Sequence, residues 1–350
     1  MMSKNDYASE ISSIEFKFST IDNRYELTSS EGTIETIGHG IRTYPGQIEE
    51  LERRGFLHTR PLKNMMASAK SGWTREQERE ARQELSSLKK KLLRERSKVN
   101  AQLKRLDRPS NSLIERAEAG VAAFEDSVSA AESYLRMLTS STSAEIGRAA
   151  YQMGRINWML EQIGESPDIT LLENEGPLLA VEAEWENEGD EGPDGILYLT
   201  DQRLIFEEKA EKVTRRFLFI TRESELIQQL LIDEPVSGIQ EISHSEERRR
   251  LIQFRKDDLL EFIMSGHAAH SRLRFHVKGQ ESKDWATMIN RVMDGDVFKD
   301  RSKAAQSDEA DVRQKSFPTD CPDCLAPIPP QPRGALNVTC EFCNSTVQAV

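Results

Sequence analysis

Four cysteines near the C-terminal end are the residues whose type and spacing best fit a chemical role. They form two pairs, Cys321 with Cys324 and Cys340 with Cys343, each with two intervening residues and with fifteen residues between the pairs. A Cys-x2-Cys turn brings two thiolates to one ion, and zinc prefers a tetrahedral shell of such ligands. A redox pair or chance clustering is the alternative. The spacing predicts a Zn²⁺ site filled entirely by protein, where the metal stabilises and does not catalyse.

The two cysteine pairs resemble a zinc ribbon over residues 318–348, in a C-terminal module that we place at 318–350. Ribbons bind proteins and nucleic acids alike, so the resemblance implies a binding module and leaves its partner open. Residues 296–317 contain few apolar side chains and are predicted to be a linker that lets this module swing.

Motifs of the common enzyme classes are absent from the sequence. It contains no Gly-x-Ser-x-Gly, no His-Glu-x-x-His, no P-loop and no dinucleotide-binding glycine pattern. His267, His270 and His276 are close in sequence but run from a turn into a strand, with no carboxylate arranged around them. Since all four cysteines are assigned to zinc, no cysteine nucleophile remains. We therefore predict no catalytic residues, no further cofactor-binding residues and no enzymatic activity.

Composition restricts the class of protein. The 350 residues carry 47 Lys and Arg against 59 Asp and Glu, a net charge of −12, which argues against a protein that coats nucleic acid over its whole surface. No apolar run is long enough for a membrane span or a signal peptide. The cysteines all lie in the last thirty residues, unlike a secreted disulfide framework. We expect a soluble, cytoplasmic protein.

Residues 61–165 are predicted to form a helical bundle or coiled coil. A long helix is expected over 75–106, where Leu85, Leu92, Val99 and Leu106 recur every seven residues. Pro109 ends it, and apolar stripes predict two further helices at 113–138 and 144–163. Residues 1–60 are expected to be a poorly defined arm, with a half-buried strand around residues 14–18 and a short helix at 48–54.

The predicted long helix is basic in an acidic protein. Between Arg75 and Arg108 there are twelve Lys or Arg and six Asp or Glu, a local charge of +6. Such a helix can lie on an anionic membrane or on nucleic acid. The charges are spread around the helix and no aromatic side chains are interleaved for base stacking, which favours a solvated helix face.

After Pro167 the apolar pattern changes to a period near two, which is typical of strands, so we predict an α+β architecture. A single amphipathic helix is then predicted at 282–293. The predicted strands are 178–185, 196–200, 203–208, 215–220, 236–242, 250–255, 259–264 and 272–277.

The segment DGILYLTDQRLIFEEK at 194–209 resembles the GRAM branch of the pleckstrin-homology superfold, in which a strand, a Thr-Asp or Thr-Asn turn and an Arg-Leu-Ile-Phe strand follow one another. Gly195, Thr200 and Arg203 match this pattern, and Trp285 lies where the closing helix of the family often has an aromatic residue. The resemblance covers 176–295. It implies a curved antiparallel sheet capped by a helix. Residues 221–235 are expected to be an inserted loop or short helix and not a simple hairpin.

The predicted loop at 186–194 departs from phosphoinositide-binding relatives of this superfold. It carries five carboxylates and no Lys or Arg, which would repel a phosphate head group. It also lacks the calcium-binding pattern of an EF-hand, so a solvated turn is the favoured interpretation. Protein recognition on the sheet or at an open edge is then the expected use of the domain.

These features together predict a non-enzymatic adaptor or scaffold that recruits protein partners through its helices, its GRAM-like domain and its zinc ribbon. The helices are also expected to mediate assembly with a partner or with a second copy as a homo-oligomer. Two alternatives remain open. One is peripheral binding to an anionic membrane through the basic helix and the GRAM-like surface, and the other is nucleic-acid binding through the ribbon and the same helix.

Overall fold

A computed structural model describes residues 4–172, 174–186, 192–217, 220–247, 257–266, 268–302, 318, 320–328 and 337–348. The chain divides into two compact units, one made of Met1–Gly46 and Asn64–Tyr151 and the other of Gln47–Lys63 and Gln152–Val350. The described residues contain six α-helices and a seven-stranded antiparallel sheet, so the predicted α+β class is confirmed. Among them, no helix combines the length and apolar character needed to cross a bilayer.

The first five helices are α1 (Lys4–Asp22), α2 (Thr28–Arg53), α3 (Arg60–Gly72), α4 (Arg75–Leu103) and α5 (Asn111–Glu165), with a 3-10 helix (Lys104–Asp107) after α4. Within the first unit, buried side chains of α1, α2, α4 and α5 form one apolar core. Phe18 of α1 lies 6.0 Å from Phe124 of α5 between ring centroids. The predicted N-terminal helical architecture is therefore confirmed, but α1 and α2 of this core come from residues 1–60, which were expected to be a poorly defined arm.

The prediction of a strand around residues 14–18 is wrong, because these residues lie within α1. Ile14, Phe18 and Ile21 are buried while Phe16 is 74% exposed, so the spacing of the buried residues is helical and the apparent alternation came from one exposed aromatic. The expected arm is thus two helices, and the short helix expected at 48–54 is the end of α2.

The two helices predicted at 113–138 and 144–163 form one continuous helix, α5. α5 runs unbroken for 55 residues, whereas a break was expected between residues 138 and 144, where Ser and Thr are frequent. Thr139 is buried, and its hydroxyl donates to the carbonyl of Leu135 at 2.9 Å. Such bonding to the preceding turn satisfies the hydroxyl inside the helix, so the polar run does not end α5.

The seven strands are β1 (Pro177–Trp185), β2 (Asp194–Thr200), β3 (Arg203–Phe217), β4 (Ile220–Pro235), β5 (Ile239–Glu247), β6 (Asp257–Met264) and β7 (Arg272–Val277). Their order in the sheet is β4-β3-β2-β1-β7-β6-β5. The last helix, α6 (Ser282–Met293), packs against β5 and β6 and buries Trp285 completely. An antiparallel sheet followed by a packed terminal helix is consistent with a pleckstrin-homology-like plan.

Several boundaries differ from expectation. The separate strand predicted at 215–220 is wrong, because β3 extends from Arg203 to Phe217 and β4 begins at Ile220. The prediction of an inserted loop at 221–235 is wrong, since this segment is β4 and pairs with β3 along its length. The register of this hairpin is irregular between Phe206 and Glu207, which interrupts the alternation expected of a strand. The predicted linker starts later, because the 3-10 helix Asp296–Asp300 places Val297 and Phe298 in the core. Strand β5 begins at Ile239, after a 3-10 turn at Val236–Gly238. The strand predicted at 250–255 and residues 303–317 of the predicted linker lie outside the described residues.

Candidate metal centre

Each cysteine pair sits on a tight turn closed by its own backbone. In the first turn the amide of Cys321 donates to the carbonyl of Ala326 at 2.7 Å, and the amide of Leu325 donates to the carbonyl of Cys321 at 2.8 Å. These bonds fold the chain back within five residues. Cys321 and Cys324 are thereby held on the same turn.

The second turn repeats this arrangement. The amide of Cys340 donates to the carbonyl of Ser345 at 2.8 Å, and the amide of Asn344 donates to the carbonyl of Cys340 at 2.9 Å. Strands β8 (Asn337–Thr339) and β9 (Thr346–Gln348) pair on either side of it. The two turns are therefore equivalent, with Leu325 in the first at the position of Asn344 in the second.

The four sulfur atoms converge. Cys321 Sγ lies 3.7 Å from Cys343 Sγ, Cys324 Sγ lies 3.5 Å from Cys340 Sγ, and all four fall within 4.8 Å of one another. A tetrahedral zinc site with Zn–S bonds of about 2.3 Å requires sulfur separations of about 3.8 Å, whereas a disulfide requires about 2.05 Å. The arrangement is compatible with a metal site and not with a disulfide.

The electrostatics of the cluster also favour a cation. The hydroxyl and the backbone amide of Ser345 lower the pKa of Cys343 to about 6. The backbone amide of Ala326 acts in the same direction on Cys324, but the neighbouring Cys343 sulfur and desolvation outweigh it and raise the pKa of Cys324 to about 12. Four adjacent thiolates repel one another, so a bound divalent cation is what allows all of them to ionise.

The apolar core around the cluster is small. It consists of the buried residues Cys321, Cys340 and Val347, with three partly buried side chains packed against them: Ala326, Ile328 and Val338. Modules below about 40 residues rarely bury enough apolar surface to fold without a metal or disulfides. The structure of this module therefore requires a stabilising contribution that its own core does not supply.

Among the described residues, His270 and His276 are not brought together in a metal site. His267 lies outside the described residues, and His270 packs its ring edge-on against Trp185 at 5.0 Å between centroids. His276 Nε2 lies 3.1 Å from a carboxylate oxygen of Glu186, a partner that the sequence reading missed. In the described part of the chain, the four cysteines are the one group of three or more His, Cys, Asp or Glu residues placed to hold a metal ion.

Basic side chains of β7 are paired with carboxylates on neighbouring strands and turns. Arg274 and His276 both contact Glu186, and Lys278 lies 2.5 Å from Asp194 between Nζ and Oδ1. Glu186 and Asp194 bound the acidic loop predicted at 186–194, of which residues 187–191 lie outside the described residues. Arg274, His276 and Lys278 are therefore paired with the carboxylates at the two ends of this loop.

A buried ionic group in the second unit was not anticipated. Asp201 accepts hydrogen bonds from His58 Nε2 at 2.8 Å and from the Arg301 guanidinium at 2.5 Å, and the side chains of all three are at most 4% exposed. His58 Nδ1 lies 3.2 Å from the carbonyl oxygen of Val297. The three residues are 100 or more positions apart in the chain, so no local pattern in the sequence could connect them.

Comparisons with known proteins give no family. No family model matches the chain, and no curated protein matches it. A mutant of the DH and PH domains of p115-RhoGEF is 12% identical over 76% of this chain and 98% of that one, with a TM-score of 0.20. The DH and PH domains of p115-RhoGEF are 14% identical over 68% of this chain and 66% of that one, with a TM-score of 0.19. Autoinhibited Vav1 is 14% identical over 99% and 67%, with a TM-score of 0.22. Similarities this low carry no argument about fold or function.

Proposed function

We propose that this chain is a non-enzymatic adaptor that holds one structural Zn²⁺ in a C-terminal zinc ribbon and recruits protein partners. The observation that carries the proposal is the closed set of four cysteine sulfurs within 4.8 Å. A zinc ion bound by four protein thiolates has no position left for water or substrate. Its contribution is to hold two turns in place, and those turns are then available for binding.

The GRAM-like domain is a second binding module and also recruits protein partners. The sheet order and the terminal helix α6 support this assignment, and the pairing of Arg274, His276 and Lys278 with carboxylates argues against phosphoinositide binding beside the acidic loop. A phosphate head group would have to displace Glu186 and Asp194 from their cations. A protein partner can instead use the sheet or its open edges.

The helical bundle provides a third surface. Tyr134, Met137 and Leu138 lie three and four residues apart on α5 and are all at least 40% exposed. Side chains at this spacing share one helix face, and a contiguous apolar patch of this kind is typical of an interaction surface. It supports assembly with a partner or with a second copy.

Binding to an anionic membrane through α4 is a second candidate function. Lys90, Arg94 and Lys98 are exposed at successive positions i and i+4, so their charges form one ridge, and each such cation near an anionic surface adds roughly 1 kcal/mol. Co-sedimentation with phosphatidylserine vesicles that disappears at high salt would support it. For nucleic-acid binding, the described ribbon residues offer Asp320, Asp323 and Glu341 and no Lys or Arg, so α4 is the better candidate surface.

Metal analysis of the purified protein tests the zinc site. We expect one zinc per chain in the intact protein and none in Cys340→Ser, because three thiolates bind zinc far more weakly than four. Thr339→Ser alters an exposed neighbour that is not a ligand and should keep the zinc. An intact protein purified without metal, and unable to take up zinc as apo-protein, contradicts the proposal.

Partner capture tests the adaptor function. The intact chain and a chain ending at Lys315 are used to purify associated proteins, and both are assayed for zinc. We expect proteins that copurify with the intact chain to be lost or reduced with the truncated one. Identical sets from the two chains would show that the ribbon recruits nothing.

A further inference from the structure

Two large apolar side chains project from the ribbon. Leu325 is 77% exposed and Phe342 is 69% exposed, although the core of this module is so small that burying either would enlarge it considerably. Leu325 directly follows Cys324 and Phe342 directly precedes Cys343. Because all four sulfurs lie within 4.8 Å of one another, the turns that carry Leu325 and Phe342 meet at the same sulfur cluster.

The backbone conformation at Leu325 indicates that a leucine at this position does not stabilise the turn. Its φ is 61°, and the equivalent Asn344 has a φ of 59°. A short polar side chain such as Asn tolerates this left-handed conformation, whereas Leu is disfavoured there. Packing does not compensate at a residue so exposed, so the ribbon itself gives no reason for Leu at this position.

The surroundings of the two side chains are acidic. Asp323 is exposed two residues before Leu325, and the described part of the ribbon contains no Lys or Arg. One Zn²⁺ with four thiolates would add two further negative charges. The zinc-loaded surface would therefore combine two exposed apolar side chains with net negative charge.

We propose that Leu325 and Phe342 form a docking surface for a cationic protein segment that carries large apolar side chains. This inference rests on the proposed function, because zinc must hold both turns for the two side chains to act together. Apolar side chains of the partner bury against Leu325 and Phe342, while its Lys and Arg side chains face Asp323 and the negatively charged zinc–thiolate centre. RNA lacks cations and is repelled by the same charges.

The test measures binding of fluorescein-labelled peptides to the intact, zinc-loaded chain by fluorescence anisotropy. The probes are a library of short peptides that combine Lys and Arg with Leu, Ile and Phe, and matched peptides in which every apolar residue is replaced by Ser. A single-stranded RNA oligonucleotide is the comparison for the other class of partner. We expect the apolar peptides to bind at least about tenfold more tightly than their Ser counterparts, with weaker binding at high salt.

Variants separate a binding role from a structural one. Leu325→Asn relieves the backbone strain, so we expect a ribbon that retains zinc at least as strongly as the original protein while peptide affinity falls about tenfold. Phe342→Ser should weaken the peptide by a similar factor. Phe16→Ser removes a similarly exposed apolar side chain from α1 and should leave peptide affinity unchanged.

Zinc content distinguishes failure of this inference from failure of the proposed function. A chain that holds no zinc overturns both. A chain that holds zinc but binds the Ser peptides as well as the apolar ones, or binds RNA in preference to peptides, overturns the docking surface alone. The same conclusion follows if Leu325→Asn and Phe342→Ser bind the peptides as the original chain does.

Discussion

Asp201 is the residue on which the buried charges of the second unit depend. It lies between His58 and Arg301 and accepts a hydrogen bond from each, while none of the three side chains is more than 4% exposed. A buried guanidinium without a counter-ion is strongly unfavourable, because it loses hydration and gains nothing in exchange. The carboxylate of Asp201 therefore supplies the charge compensation for this part of the fold.

Replacing Asp201 with Ala should lower the free energy of unfolding by about 3–5 kcal/mol, since it leaves Arg301 buried without its partner. Urea denaturation followed by circular dichroism measures the change. Asp126→Ala, at an exposed position on α5, serves as a control that should stay within about 0.5 kcal/mol. Equal midpoints for the two variants would contradict the proposed role of Asp201.

Gly195 is required by a close approach of neighbouring backbone. A Cβ built there would lie 2.0 Å from the carbonyl oxygen of Glu207 on the adjacent strand, so Gly195→Ala must push β2 away from β3. We expect a loss of about 1–3 kcal/mol or more. Gly147, in α5, has open space around its Cα, and Gly147→Ala should instead stabilise by about 0.5–1 kcal/mol. Thermal unfolding of both variants gives the comparison, and a shift of the same sign in both would refute it.

The contrast between the cysteines and Asp201 shows what could be predicted from the sequence at this scale. The cysteine pairs could be assigned because each pair is local and because two residues between thiolates has a known geometric meaning. His58, Asp201 and Arg301 meet through the tertiary structure, with sequence separations of 143 and 100 residues. Only the Thr-Asp turn of the GRAM-like pattern marked one of them.

At the scale of elements, regular apolar periodicity predicted strands and helices correctly, whereas Pro and Gly residues led to a wrong prediction. Strand β7 and helix α6 were predicted with their observed bounds, because apolar residues alternate or recur every three to four positions in them. Helix α2 contains Pro45 and several glycines and was not expected as one helix. Gly40 is needed there, since a Cβ would lie 2.9 Å from the Ile146 side chain, and this contact is tertiary. Packing thus outweighs low intrinsic propensity.

The start of α4 is fixed by a capping box. The amide of Gln77 donates to the Thr74 hydroxyl at 3.3 Å, and the amide of Thr74 donates to the Gln77 side chain at 2.8 Å. Thr74→Ala removes one of these bonds and should destabilise the first unit by about 1 kcal/mol. Thr74→Ser keeps the hydroxyl and should retain most of that stability. Urea midpoints measure both, and similar losses in the two variants would show that the hydroxyl is not the cause.

At the scale of the whole chain, the two kinds of module differ in what holds them together. The core of the sheet contains more than twenty buried side chains from β1 to β7, α6 and the following 3-10 helix, and none of them comes from the ribbon. Within the described residues, the ribbon core contains three buried residues, two of which are cysteines. Apolar burial therefore accounts for the first module, whereas the second has too small a core to fold by apolar burial alone and would be stabilised by the proposed metal.

Removal of zinc should accordingly unfold the ribbon and leave the sheet intact. On addition of a strong chelator, we expect amides of the turns at Cys321 and Cys340 to lose protection from hydrogen exchange while those of β2 and β6 keep theirs. None of the ribbon residues that the structure describes contributes to the sheet core. Returning zinc should restore protection, and magnesium should not, since it prefers oxygen ligands. Hydrogen exchange read by mass spectrometry resolves the two regions. Loss of protection in both regions would mean that the sheet also depends on the metal, and loss in neither would mean that the turns hold without one.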